Sequence, residues 1–119
     1  MVRGARHLMT KIVFCADDFT GASDTLATLA RAGLSTRLYL NAPAPSDSTN
    51  DLDAIGVATS LRALTVDDSV ATIGPLADAL ARTKCGLYHF KVCSTFDSSP
   101  DIGNIAAVAD RYAQSVGTR

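Results

Sequence analysis

The sequence predicts an α/β fold, an open parallel sheet of about four strands with helices on both faces. Three observations predict it. Short apolar runs of the kind that form strands buried on both faces recur at 12–16, 35–40, 54–59 and 86–92. Stretches with apolar residues at helical spacing alternate with most of these runs. Polar or charged residues stand at the carboxyl end of the runs, as they do in right-handed βαβ units.

In the first unit, the run 12–16 stops at the adjacent carboxylates Asp17 and Asp18, followed by Thr20-Gly21. A helix is expected next. Thr20, Ser23 and Asp24 are competent N-caps, Ala22, Leu26, Leu29 and Ala30 recur at helical spacing, and Gly33 sits where a left-handed C-terminal cap is wanted. The second strand, 35–40, gives way to a loop at 41–50 that holds Pro43 and Pro45. The third strand, 54–59, leads directly into Ser60-Leu61-Arg62.

Thr65 then caps a helix whose first turn holds Asp67 and Asp68, placed to suit the helix dipole and so structural in role. Its apolar face is Val70, Ile73, Leu76, Ala77 and Leu80, and Gly74-Pro75 is expected to kink or interrupt it. After the fourth strand comes a polar run from Cys93 to Pro100. Ser99-Pro100-Asp101 reads as a helix start, with Ile102, Ile105, Ala109, Tyr112, Ala113 and Val116 as the apolar face. The expected total is four strands with four helices. Stopping directly after a helix suggests that the unit 11–119 is truncated and incomplete at its C-terminal end.

With 119 residues, the chain can bury about two thirds of the surface its unfolded form exposes. Its 47% hydrophobic content and lack of repeats point to a folded domain, and no stretch is long enough to span a bilayer. A net charge of −1, with dispersed basic residues, gives no attraction to nucleic acid or an anionic membrane. Cys15, Cys85 and Cys93 are odd in number and lack CxxC spacing, which fits reduced thiols in a cytoplasmic protein and no metal site. Residues 1–10 are expected to be an N-terminal extension, disordered or an overlong start, because they carry basic residues without the apolar core of a secretory signal.

Parallel strands place their carboxyl ends on one sheet edge, where ligands of open α/β sheets bind. That edge should gather Asp17 and Asp18 from the first strand, Ser60 and Arg62 from the third, and Lys91, Ser94, Thr95 and Asp97 from the fourth. Arg62 can grip a carboxylate or phosphate with two parallel hydrogen bonds, and Lys91 adds a point charge. The two aspartates would accept hydrogen bonds from hydroxyls, so a small polyhydroxy acid satisfies both demands. Each residue also has an ordinary role open to it: Asp18 as a helix cap with Asp17 solvated, Arg62 on the surface, Lys91 snorkelling, and the hydroxyls forming turns.

Several alternatives lack their residues. No G-x-G-x-x-G follows the first strand and no G-x-x-x-x-G-K-[ST] occurs, so neither a dinucleotide fold nor a P-loop is supported. A haloacid dehalogenase phosphatase spaces its aspartates one apart. A response-regulator receiver needs an aspartate at the end of the third strand, where Ala58-Thr59-Ser60 stands.

The run Ala16-Asp-Asp-Phe-Thr-Gly-Ala-Ser-Asp-Thr resembles the A-D-D-[LF]-T-G-A-x-D signature that opens the four-carbon acid sugar kinases, the YgbK-like family. Ser60-Leu-Arg62 resembles that family's second motif. Lys91-Val-Cys-Ser-Thr-Phe-Asp-Ser-Ser-Pro-Asp-Ile-Gly resembles the third in its 3-oxo-tetronate kinase form; other branches carry D-S-T-L-R-G-N there, with an arginine this chain lacks. The resemblance implies transfer of a phosphoryl group from ATP, with Mg²⁺, to the terminal hydroxyl of a 3-oxo-tetronate, threonate or erythronate. It implies that this chain is the substrate-binding N-terminal part, that the nucleotide domain lies in an absent C-terminal half, and that the chain alone has no turnover. Asp17 and Asp18 would then orient substrate hydroxyls, one of them accepting the attacking proton. Arg62 with Ser60 would hold the carboxylate, and Lys91, Ser94 and Thr95 would complete the pocket. A homo-oligomer stays open, and so does a second class of function, a stand-alone sensory or binding module of the receiver type.

Overall fold

The computed structural model describes residues 10–49, 51–83, 85–93 and 98–117. Strand β1 (Thr10–Ala16) is followed by α1 (Phe19–Arg31), β2 (Thr36–Tyr39) and β3 (Ala54–Ala58). A 3₁₀ turn (Leu61–Ala63), α2 (Val66–Ala81), β4 (Cys85–Lys91) and α3 (Ile105–Val116) complete the chain. The four strands form one sheet in the order β2-β3-β1-β4, and every pairing is parallel. The α/β expectation holds, with three helices rather than four among the described residues. The path from β2 to β3 runs through the proline-bearing loop, where Pro43 and Pro45 lack the N–H groups a helix interior uses.

Alternation along the strands divides the core in two. Val13, Cys15, Ile55 and Val57 face the α2 and α3 side, where they pack with Ile73, Leu76, Ala77, Leu80, Val108 and Tyr112. Ala16 and Ala58 face the other way and pack with Ala22 of α1. Small residues on that face let α1 lie close to the carboxyl ends of β1 and β3. Because β1 and β3 are central strands, their residues are buried almost throughout, whereas the edge strand β4 leaves Leu87 56% exposed.

Three local expectations are corrected. Helix α1 begins at Phe19 with Asp18 as its cap, not at Thr20, Ser23 or Asp24, because the Asp18 side chain accepts from Gly21 N–H. Helix α2 runs unbroken through Pro75. The proline sits on the exposed side of the helix while Ile73, Leu76, Ala77 and Leu80 are buried, so packing outweighs the one lost backbone bond. Helix α3 starts after Asn104, whose side chain accepts from Ala107 N–H, and not at Ser99-Pro100. There Ile102 forms an antiparallel bridge with Thr65, Ser99 Oγ closes a turn by accepting from Ile102 N–H, and Gly103 has φ +59°; none of these is helical. Ile102 accordingly stands 46% exposed instead of joining the helix face.

Candidate functional site

Main-chain bonds bring the strand ends together. Asp17 N–H donates to the Lys91 carbonyl at 3.0 Å, and the Asp17 carbonyl accepts from Arg62 N–H at 3.1 Å. One residue at the end of β1 thus ties β4 on one side to the 3₁₀ turn on the other. The turn is held from below by Thr59, whose Oγ donates to the Ala16 carbonyl at 2.7 Å.

On this frame the side chains of Asp18, Arg62 and Cys93 form a line. Asp18 Oδ1 accepts from Gly21 N–H at 3.0 Å, while Oδ2 lies 3.6 Å from Arg62 Nη1. Arg62 Nη1 also donates to Cys93 Sγ at 2.9 Å. The Cys93 main-chain N–H turns back to the Asp17 carboxylate, closing the loop. Lys91 lays its stem over Gly21, where a Cβ would come within 3.5 Å of Lys91 Cγ, and its ammonium donates to the Val92 carbonyl at 2.7 Å.

Asp17 is the buried member of the acidic pair, 3% exposed. Burial pushes its pKa above the usual carboxylate range, and the Asp18 charge adds to that push. The Cys93 N–H and the charges of Arg62 and Lys91 oppose it. The sign of the consequence for stability follows. Below pH 3.8, the ordinary value, both folded and unfolded chains carry the proton; as pH rises through the raised folded value the fold must accept a buried charge, and stability is lost. We expect the melting temperature of the wild type to fall relative to that of Asp17→Asn across this window. A difference that stays flat with pH would contradict it.

Asp17, Asp18, Arg62 and Lys91 therefore meet as expected. Ser60 is exposed, forms no capping bond, and lines a neighbouring cleft of about 590 Å³ with Phe19, Leu40, Thr59, Thr72 and Pro75. Ser94, Thr95 and Asp97 lie outside the described residues. Sequence reasoning missed Cys93 as a partner of Arg62, since a thiol after a strand carries no signal of what will approach it. It also missed Gly21, in the first turn of α1, as the floor under Lys91.

Among the described residues, no group of three or more His, Cys, Asp or Glu could hold a metal ion. In the first turn of α1 the Gly21 N–H is taken by the Asp18 side chain. Chemically, Arg62 and Lys91 supply positive groups that can take an anion, and the carboxylates of the acidic pair supply acceptors for hydroxyl donors.

Comparison with known proteins gives a consistent result. Residues 12–119 match the family model described as sugar-binding N-terminal domain. A 3-oxo-tetronate kinase from Burkholderia multivorans is 42% identical over 102 residues, covering 86% of this chain and 23% of the relative. A 3-oxo-isoapionate kinase from Paraburkholderia graminis is 35% identical, covering 83% of this chain and 22% of its own. Among solved structures, a crystal structure of a Salmonella typhimurium LT2 protein, provisionally described as a tRNA synthase, aligns with a TM-score of 0.80 and 31% identity, covering 92% of this chain and 26% of that one. The chain thus spans about a quarter of the length of the relatives it matches.

Proposed function

This chain belongs to the family of sugar-binding N-terminal domains, and from that premise we propose that it is the substrate-binding part of an ATP-dependent kinase. The acceptor is the terminal hydroxyl of a four-carbon sugar acid, a 3-oxo-tetronate, threonate or erythronate. The observation that carries this reading is the meeting of Arg62, Lys91 and the Asp17–Asp18 pair at one sheet edge. Arg62 and Lys91 take the carboxylate of the acid, and the acidic pair faces its hydroxyls. The names of the 3-oxo-tetronate kinases, with which the chain shares most of its length, support that substrate class. The kinase names support ATP as phosphoryl donor, and the reading assigns ATP and Mg²⁺ mainly to a C-terminal nucleotide domain, in keeping with the chain's span of about a quarter of those relatives.

Phosphoryl transfer depends on holding donor and acceptor in line. This chain contributes the acceptor's half of that arrangement by fixing the acid at its charged end. The test is calorimetric titration of the chain with D- and L-threonate, D-erythronate and 3-oxo-tetronate, without ATP. Saturable binding is expected, weakened at least tenfold in Arg62→Ala, because a hydrogen bond to a charged group contributes about 1.5–3 kcal/mol. The same chain supplied with ATP should phosphorylate none of these acids. No binding to a demonstrably folded chain, or binding indifferent to Arg62, would overturn the proposal.

A further inference from the structure

Arg62 rides on a 3₁₀ turn of only three residues, Leu61–Ala63. The turn closes with Ala63 N–H on the Ser60 carbonyl at 3.0 Å and Leu64 N–H on the Leu61 carbonyl at 3.1 Å. A helical turn this short is not stable by itself. Where its arginine stands is therefore set by what the turn is tied to.

The carboxyl half of the turn is tied through several groups. Arg62 N–H donates to the Asp17 carbonyl at 3.1 Å, the Leu64 carbonyl accepts from Gly103 N–H at 2.9 Å, and the buried Ser69 hydroxyl of α2 donates to the Leu61 carbonyl at 3.4 Å. At the amino end the tie is a side chain. Thr59 Oγ donates to the Ala16 carbonyl at 2.7 Å and accepts from Leu61 N–H at 3.2 Å. One hydroxyl thus works as donor and acceptor at once, joining the last residue of β1 to the first residue of the turn. The strand pairing does not require it, because the Ala16 carbonyl also takes the Thr59 N–H at 3.1 Å. The turn does require it, because an N–H that opens a helical segment has no carbonyl inside that segment to donate to.

Resting on the sugar-acid reading above, we infer that Thr59 is a positioning residue for Arg62: its hydroxyl pins the amino end of the turn to β1 and so sets where the guanidinium meets Asp18, Cys93 and the carboxylate of the acid. Thr59 also lines the cleft beside Ser60, so positioning has to be separated from direct contact with the acid.

Three variants and one background separate them. Thr59→Val keeps the shape without the hydroxyl, Thr59→Ala loses both, and Thr59→Ser keeps the hydroxyl. Each is titrated with D-threonate, D-erythronate and 3-oxo-tetronate, with Arg62 present and in Arg62→Ala, and amide exchange is followed without ligand. Thr59→Val and Thr59→Ala should both bind about three- to tenfold more weakly, the loss a deleted hydrogen bond gives, and Thr59→Ser should stay within about twofold of wild type. In the Arg62→Ala background Thr59→Val should cost nothing further, since it acts through that arginine. The Leu61 and Arg62 amides should exchange faster in Thr59→Val and not in Thr59→Ser, with Val57 of β3 unchanged. Undiminished binding by Thr59→Val and Thr59→Ala, a loss in Thr59→Ala that Thr59→Val does not share, or an equal loss in the Arg62→Ala background overturns the assignment and leaves the sugar-acid reading standing. A folded wild type that binds none of the acids overturns the sugar-acid reading instead, and unchanged exchange in Thr59→Val then overturns the support of the turn as well.

Discussion

Gly56→Ala is expected to destabilise the protein by about 3 kcal/mol, lowering its melting temperature by roughly 10–20 °C. Gly56 lies in the middle of β3, paired with Phe14 of β1 on one side and Leu38 of β2 on the other. The Phe14 ring lies flat across it, so an added Cβ would stand 2.0 Å from Phe14 Cζ and 2.2 and 2.4 Å from the two Cε atoms. Phe14 is fully buried, and a packed interior offers its ring no free volume to move into. The clash is specific to this pair, which makes it testable by a cycle: Phe14→Leu costs stability by itself but should lessen the further cost of Gly56→Ala. Chemical denaturation of the four proteins measures it. Strictly additive costs, or a Gly56→Ala protein as stable as wild type, would show that the ring does not hold this position.

The second large effect is expected at Gly103. Its φ of +59° lies in the left-handed region, and a Cβ there would meet the Arg62 carbonyl oxygen at 2.4 Å and Arg62 Cα at 3.4 Å. Left-handed backbone costs a non-glycine residue about 1–2 kcal/mol, and here the obstacle is backbone, which no rotamer change relieves. The N–H of Gly103 also donates to the Leu64 carbonyl at 2.9 Å, so the two segments cannot part without losing that bond. Gly103→Ala should therefore cost about 2–4 kcal/mol in all. It should also weaken sugar-acid binding, because the displaced segment is the one that carries Arg62. Melting together with titration separates this from a purely structural change: a variant that loses stability yet binds with wild-type affinity would show that the Gly103 contact does not position Arg62.

Much of the architecture was legible in the residues. Continuous apolar runs gave β1 and β3, since central parallel strands are buried on both faces and need no polar alternation. Thr65 marked the start of α2 because the capping bond to Asp68 N–H spans three residues and is local. The errors share a cause. Ser99-Pro100-Asp101 carries good helix-start chemistry, yet the long-range bridge between Ile102 and Thr65 claims that segment first. Pro75 is a helix breaker by local rule, overridden by the burial of Ile73, Leu76 and Leu80 on the sheet.

What the sequence by itself determined is the inventory: parallel α/β units, an acidic pair at the end of β1, an arginine after β3 and a lysine closing β4. Those follow from local chemistry, because strand burial, turn residues and caps are written within a few positions of one another. What only the tertiary structure decided is the use of each group. Asp18 is taken by the cap on its own helix and by an arginine brought in from beyond β3, while Asp17 keeps one oxygen without a donor. Hydrogen-bond partners across the sheet depend on strand order and register, which place Asp17 between Lys91 and Arg62. Two neighbouring aspartates therefore differ only once the sheet has assembled around them.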